Sequence, residues 1–276
     1  MSKPLDLGKA WESAVAMLGA NKDVILIVAA VFFFLPNAIS GVFIPAPAEI
    51  TAMMESGNPD PQAMVNALTA YVGGVWWIYA LVAVVSGIGT LSLLALLTNS
   101  RRPTVGEAIS IGLNSVLTYI AAQLLALLAA LTVIFLPAAL GYMIAPALAL
   151  LFYLIGLVVS VYLYVKFSLA SPIIAIEGVR NPLTALARSW RLTKGNSLRI
   201  FAFYLLLGIA IIVLSLLVGL LLGVFSLFGE QVGLFAGSIG GALFGMLTTS
   251  VMVAVMAAVH RQLSDAPVVS VGDTFD

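Results

Sequence analysis

Six runs of about 20 apolar residues, each long enough to cross a hydrocarbon core about 30 Å thick, govern what this chain can fold into. They occupy 24–44, 72–98, 116–136, 144–169, 198–225 and 233–259. In lipid every backbone N–H and C=O must be paired within the protein, so such runs are predicted to be helices. The expectation is an all-α integral membrane protein with six transmembrane helices in a single polytopic domain, 1–263, followed by a disordered cytoplasmic tail, 264–276. Composition agrees: 62% of residues are hydrophobic, 9% are charged and the mean hydropathy is +1.15, whereas soluble domains are about a quarter charged.

The connections between the runs fix an orientation. With six spans, all twelve Lys and Arg, from Lys3 to Arg261, fall on one side, while the opposite connections hold only Glu49, Glu55, Asp60 and Glu230. The positive-inside rule then predicts that both termini are cytoplasmic. Residues 1–23 are amphipathic and carry Asp6, Glu12 and Asp23 before the first apolar run, which does not match a secretory signal.

Amphipathic segments precede three of the runs. In 5–18 the residues Leu7, Trp11, Ala14, Val15 and Leu18 share a helical face. A shorter segment covers 104–113. A third opens with Asn181-Pro182, a helix-start pair, and closes near Gly195-Asn196, with Leu183, Leu186, Ala187 and Trp190 on one face and Arg188 and Arg191 on another. Together with LGKAW, VGEAI and PLTAL at comparable places, this predicts three copies of one unit, an interfacial amphipathic helix plus a helical hairpin. Other local signals are a kink at Pro36-Asn37 and a helix start at Asp60-Pro61. Ser215, Gly219 and Gly223 recur every four residues, as do Gly233, Gly237, Gly241 and Gly245. They predict a helix-packing seam, with a path for a lipid tail or ion as the other reading.

Catalytic and cofactor chemistry finds little to work with. Cysteine is absent and His260 is the only histidine, so thiol chemistry is excluded and a built metal site is not expected. Candidate serines such as Ser86 lie deep in other runs, whereas His260 stands beside Arg261 at the inner end of the last one, a poor geometry for a nucleophile and its base. The middles of the runs hold no ionisable residue, which argues against coupled transport. GIGTLS at 87–92 lies inside a run and reads as helix packing rather than a phosphate loop. The expectation is no enzyme, no cofactor, no metal and, at a formal net charge of zero, no nucleic-acid partner.

What remains is the stretch 166–199, which holds six of the twelve basic residues. Lys166, Glu177, Arg180, Arg188, Trp190, Arg191, Lys194 and Arg199 are the candidate lipid- or partner-binding residues. Glu177 ends the apolar run SPIIAIE and is expected to pair with Arg188, Arg191 or Lys166, or to contact a ligand or partner.

Tyr164-Val-Lys166-Phe167-Ser-Leu-Ala-Ser-Pro172, then Glu177-Gly178, then Ala185-Leu186-Ala-Arg188-Ser189-Trp190-Arg-Leu192-Thr193-Lys194-Gly195-Asn196 resembles the signature of a bacterial polytopic family. That family includes YciC-like inner-membrane proteins and the membrane domain found ahead of some glycerophosphoryl diester phosphodiesterases. Lys166 stands where the family more often has arginine. The resemblance implies a helical module of the bacterial cytoplasmic (inner) membrane. It implies no hydrolysis, because this sequence lacks the carboxylate and histidine set that hydrolysis needs. The expected function is a non-catalytic module engaging membrane phospholipid or envelope lipid through its basic cytoplasmic face. The alternatives are a scaffold docking a protein partner through 166–199, and a facilitator for a small or lipidic solute.

Overall fold

The computed structural model describes residues 4–20, 22–44, 50, 52–53, 56–57, 60–98 and 103–264. Lys3, Arg101, Arg102, Glu49, Glu55, Met54 and the tail beyond Ser264 lie outside the described residues. Among those described there is no strand. Six helical stretches, Lys22–Phe43, Pro61–Thr98, Val105–Tyr142, Pro146–Ile176, Ser197–Phe228 and Glu230–Leu263, are long and apolar enough to cross a membrane. Each overlaps one of the six runs.

In chain order the helices are α1 (Leu7–Ala20), α2 (Lys22–Ala29), α3 (Leu35–Phe43), α4 (Pro61–Thr98), α5 (Val105–Tyr142), α6 (Pro146–Phe167), α7 (Ala170–Ile176), α8 (Pro182–Leu192), α9 (Ser197–Gly223) and α10 (Glu230–Leu263). Two of them start earlier than their apolar runs, for a capping reason. The Asp60 carboxylate accepts from the Gln62 N–H at 3.0 Å, so α4 begins at Pro61. Thr104 and Glu107 form a reciprocal capping box, with Glu107 N donating to Thr104 Oγ1 at 3.3 Å and Thr104 N to Glu107 Oε2 at 2.7 Å. The amphipathic segment 104–113 is therefore the opening of one continuous helix and not a separate interfacial piece.

The helices fall into two compact units. The first comprises 1–28, 87–211 and 250–276, and it contains every lysine and arginine among the described residues. Its core is built from Leu91, Leu94, Leu169, Ile173, Ile174 and Val255, all fully buried. Within it α5 and α6 form a hairpin closed by a turn at 143–145. The two backbones come close where α6 carries Gly156: a Cβ there would lie 2.6 Å from the Val133 carbonyl oxygen. Much of the outward face of these helices is apolar, Leu117 being 79% exposed.

The second unit comprises 29–86 and 212–249. The distortion expected at Pro36-Asn37 takes the form of a π-helical turn, Ala30–Phe34, between α2 and α3. Proline cannot donate to the Phe32 carbonyl four residues back, and that oxygen accepts instead from the Ser86 hydroxyl at 3.5 Å. Asn37 Nδ2 donates to the Phe33 carbonyl at 2.7 Å. The glycine stripes do not close as the packing seam expected of them. Ser215, Gly219 and Gly223 line an open groove of about 420 Å³ with Gly233, Gly237 and Gly241. A Cβ on Gly219, Gly223, Gly237, Gly241 or Gly245 would meet nothing within 4 Å. Tight approaches occur only at the start of the stripe, where a Cβ on Gly233 would lie 3.0 Å from Ser226, and one residue off it, at Gly240, whose Cβ would lie 2.5 Å from Leu222. The Leu222 side chain fills the position at Gly240, and the stripe from Gly237 to Gly245 stays open.

Candidate functional site

The basic stretch is organised by a break in its first helix. Pro172 has no N–H to give the Ser168 carbonyl and its ring crowds that oxygen, so α6 stops at Phe167 and the chain restarts as α7 after Ser168-Leu169. Break sites leave backbone groups unpaired. Here Ser189, fully buried on α8, supplies both partners: its hydroxyl donates to the Lys166 carbonyl at 2.7 Å and accepts from the Leu169 N–H at 3.2 Å. Thr193, also buried, donates back to the Ser189 carbonyl at 3.0 Å and ends the helix. Two residues of Ser-Trp-Arg-Leu-Thr are thus hydrogen-bonding staples.

The buried stripe of α8 is Ala185, Leu186, Ser189 and Leu192. This corrects the face expected from the sequence, since Leu183 is 63% exposed and Ala187 is exposed too. Trp190 is half-exposed and lies against Tyr162 and Phe167, its ring centroid 5.8 Å from each. Lys166, buried beneath it, places its ammonium 5.3 Å from the Trp190 ring and 5.4 Å from the Tyr162 ring. The rings' negative faces stabilise that charge. Lys166 is a buried cation among aromatic rings and is not presented to an external ligand.

Glu177 follows α7 and precedes Gly178, whose φ of 68° lets the chain turn sharply. Asn181 then caps α8, its side chain accepting from the N–H groups of Leu183 and Thr184. The Glu177 carboxylate is shared. Oε2 accepts from Arg188 Nε at 3.2 Å, and Oε1 accepts from His260 Nε2 at 3.0 Å. Of the partners expected from the sequence, Arg188 is present and Lys166 and Arg191 are not. His260 was missed; its side chain is only 4% exposed, so it is a core histidine and not one facing water or headgroups. Arg180 secures the same turn by donating to the Asn114 carbonyl, while Thr118 Oγ1 donates to the Arg180 carbonyl at 2.9 Å.

This arrangement holds α7, α8 and the end of α10 together through one carboxylate. Removing its charge in Glu177→Gln leaves Arg188 and His260 without an anion. Arg188 is 38% exposed and rehydrates, so the expected loss is modest, about 1–2 kcal/mol. That corresponds to a melting point lower by a few degrees in detergent. An unchanged melting point would show that Glu177 does not pin the turn.

Arg199 donates to the Leu5 carbonyl at 3.4 Å. Arg191 and Lys194 are exposed, and among the described residues neither lies within ion-pair distance of a carboxylate. No family model, curated protein or solved structure matches the chain. The functional reading therefore rests on the site itself.

Proposed function

We propose that the chain is a six-span protein of the bacterial cytoplasmic membrane, with both termini inside, that works as a non-catalytic module engaging anionic phospholipid. Its contact surface is the exposed side of α8 and the turn after it. In this reading the chain makes three hairpins with their basic residues on one side of the bilayer, the opening amphipathic segment being a separate helix at α1 and α8 and the start of α5 in the second.

The observation that carries the reading is a division of labour among the basic residues. Lys166, Arg180 and Arg188 are engaged by aromatic rings, a carbonyl and Glu177, whereas Arg191 and Lys194 are exposed beside the half-exposed Trp190. Cations near an anionic leaflet contribute about 1 kcal/mol each, and tryptophan favours the headgroup layer.

The test is mass spectrometry of lipids and proteins retained by the protein in mild detergent, with Arg191→Ala/Lys194→Ala beside wild type. Loss of two cations should weaken a bound anionic phospholipid by about 2 kcal/mol, roughly 30-fold. Identical bulk lipid in both samples, or a stoichiometric protein partner lost in the variant, would overturn the lipid reading.

A further inference from the structure

The N-terminal segment builds a second basic site from different residues. Leu5, almost fully buried, donates its N–H to Asn196 Oδ1 at 2.9 Å. Asp6 and Gln262 exchange two bonds, Asp6 N to Gln262 Oε1 at 2.9 Å and Gln262 Nε2 to the Asp6 carbonyl at 3.2 Å. The segment is thereby fixed against the start of α9 and the end of α10, leaving a cleft of about 800 Å³ lined by Leu5, Asp6, Lys9, Ser13, Arg199 and Arg261.

Three of those residues are cations and one is a carboxylate. The carboxylate caps α1, Asp6 Oδ1 accepting from the Lys9 N–H at 3.1 Å, and it lies within ion-pair distance of none of the three cations. Among the described residues the acceptors of Arg199 and Arg261 are neutral, the Leu5 carbonyl and the Ser13 hydroxyl. The two ion-pair contacts of the described residues both belong to Glu177, so no cation of the cleft has an anionic partner among them. Like charges gathered in one concavity repel, and an anion with several acceptor oxygens would relieve the repulsion and use the free guanidinium donors.

We infer that this cleft binds a phosphate group through Lys9, Arg199 and Arg261. The group belongs either to a phospholipid headgroup or to a free phosphate compound. The site goes beyond the proposed contact at Arg191 and Lys194 and shares no residue with it.

The experiment titrates the detergent-purified protein with inorganic phosphate, short-chain phosphatidic acid and short-chain phosphatidylcholine, read by native mass spectrometry and thermal shift. Wild type should bind phosphatidic acid more tightly than phosphatidylcholine. Lys9→Gln/Arg261→Gln should weaken this by about tenfold per cation lost, and Lys9→Arg should retain it. Should the double variant fail to fold, Lys9→Gln alone, at an exposed position, carries the same expectation of about tenfold. Phosphate binding as tightly as phosphatidic acid assigns the site to free phosphate compounds; phosphatidic acid binding alone assigns it to lipid. No binding by wild type, or equal affinity in Lys9→Gln, overturns the inference. Arg191→Ala/Lys194→Ala, run in parallel, should leave cleft affinity unchanged. If only that variant loses phosphatidic acid, the cleft is wrong and the α8 surface stands.

Discussion

Replacing Gly156 with leucine is expected to destabilise the protein by about 3 kcal/mol or more, at the upper end of what overpacking costs. The position sits where α5 and α6 approach closely, and the atoms a side chain would strike are backbone: Val133 O at 2.6 Å and Ile134 Cα at 2.7 Å from a Cβ. A flexible side chain could rotate away from such a clash. Two helix backbones must move apart instead, losing contacts along the hairpin. Thermal melting in detergent is the measurement, with Gly237→Ala as the matched control. A Cβ at Gly237 meets nothing within 4 Å, and alanine favours a helix by roughly 0.5–1 kcal/mol over glycine, so the control should melt at or above the wild-type temperature. Equal melting of Gly156→Leu and wild type would mean that the backbones do not approach in this way.

Ser189→Ala should be nearly as damaging although it removes one oxygen. That oxygen serves the Lys166 carbonyl and the Leu169 N–H across the break between α6 and α7, in a position with no solvent access. Leaving a buried polar group unpaired costs about 1–3 kcal/mol, so two such groups lose about 2–6 kcal/mol together. Amide hydrogen exchange separates this from a general loosening. The Leu169 amide should lose protection more than amides in the middle of α5, whereas uniform acceleration, or none, would count against the staple.

The positions of the helices were legible because length and local chemistry decide them. Asp60-Pro61, Asn181-Pro182 and the Pro36 distortion act through immediate neighbours, and each lies in the structure where its sequence places it. The faces of the helices were not legible. On α8 two stripes compete, Leu183 with Ala187 and Trp190, or Ala185 with Ser189 and Leu192, and the smaller, more polar one is buried. In a chain this apolar, hydrophobicity no longer separates inside from outside; small size and hydrogen-bonding capacity do so. The glycine stripes repeat the lesson, since spacing marks a face without saying whether anything fills it.

The candidate site was legible in outline only. Glu177 was recognisable as a carboxylate closing an apolar run, and Arg188 lies within reach in sequence. His260 lies 83 residues away from Glu177, so no spacing rule joins them. The available signal was the chemistry of the two groups, a carboxylate closing an apolar run and the one imidazole of the sequence. Asn196 was read as a helix stop, which its neighbour Gly195, with φ of 85°, accomplishes; the use of its side chain by Leu5 came from 191 residues away.

That last distance bears on how the protein is made. Leu5 bonds to Asn196, Asp6 to Gln262 and Ser13 to Arg261, separations of 191, 256 and 248 residues. At about 5–20 residues per second of synthesis, Asp6 waits roughly 10–50 s before Gln262 exists to receive it. Asn196 is made first and Arg261 and Gln262 only at the end of α10, so the docking of α1 is complete only once α10 has been made.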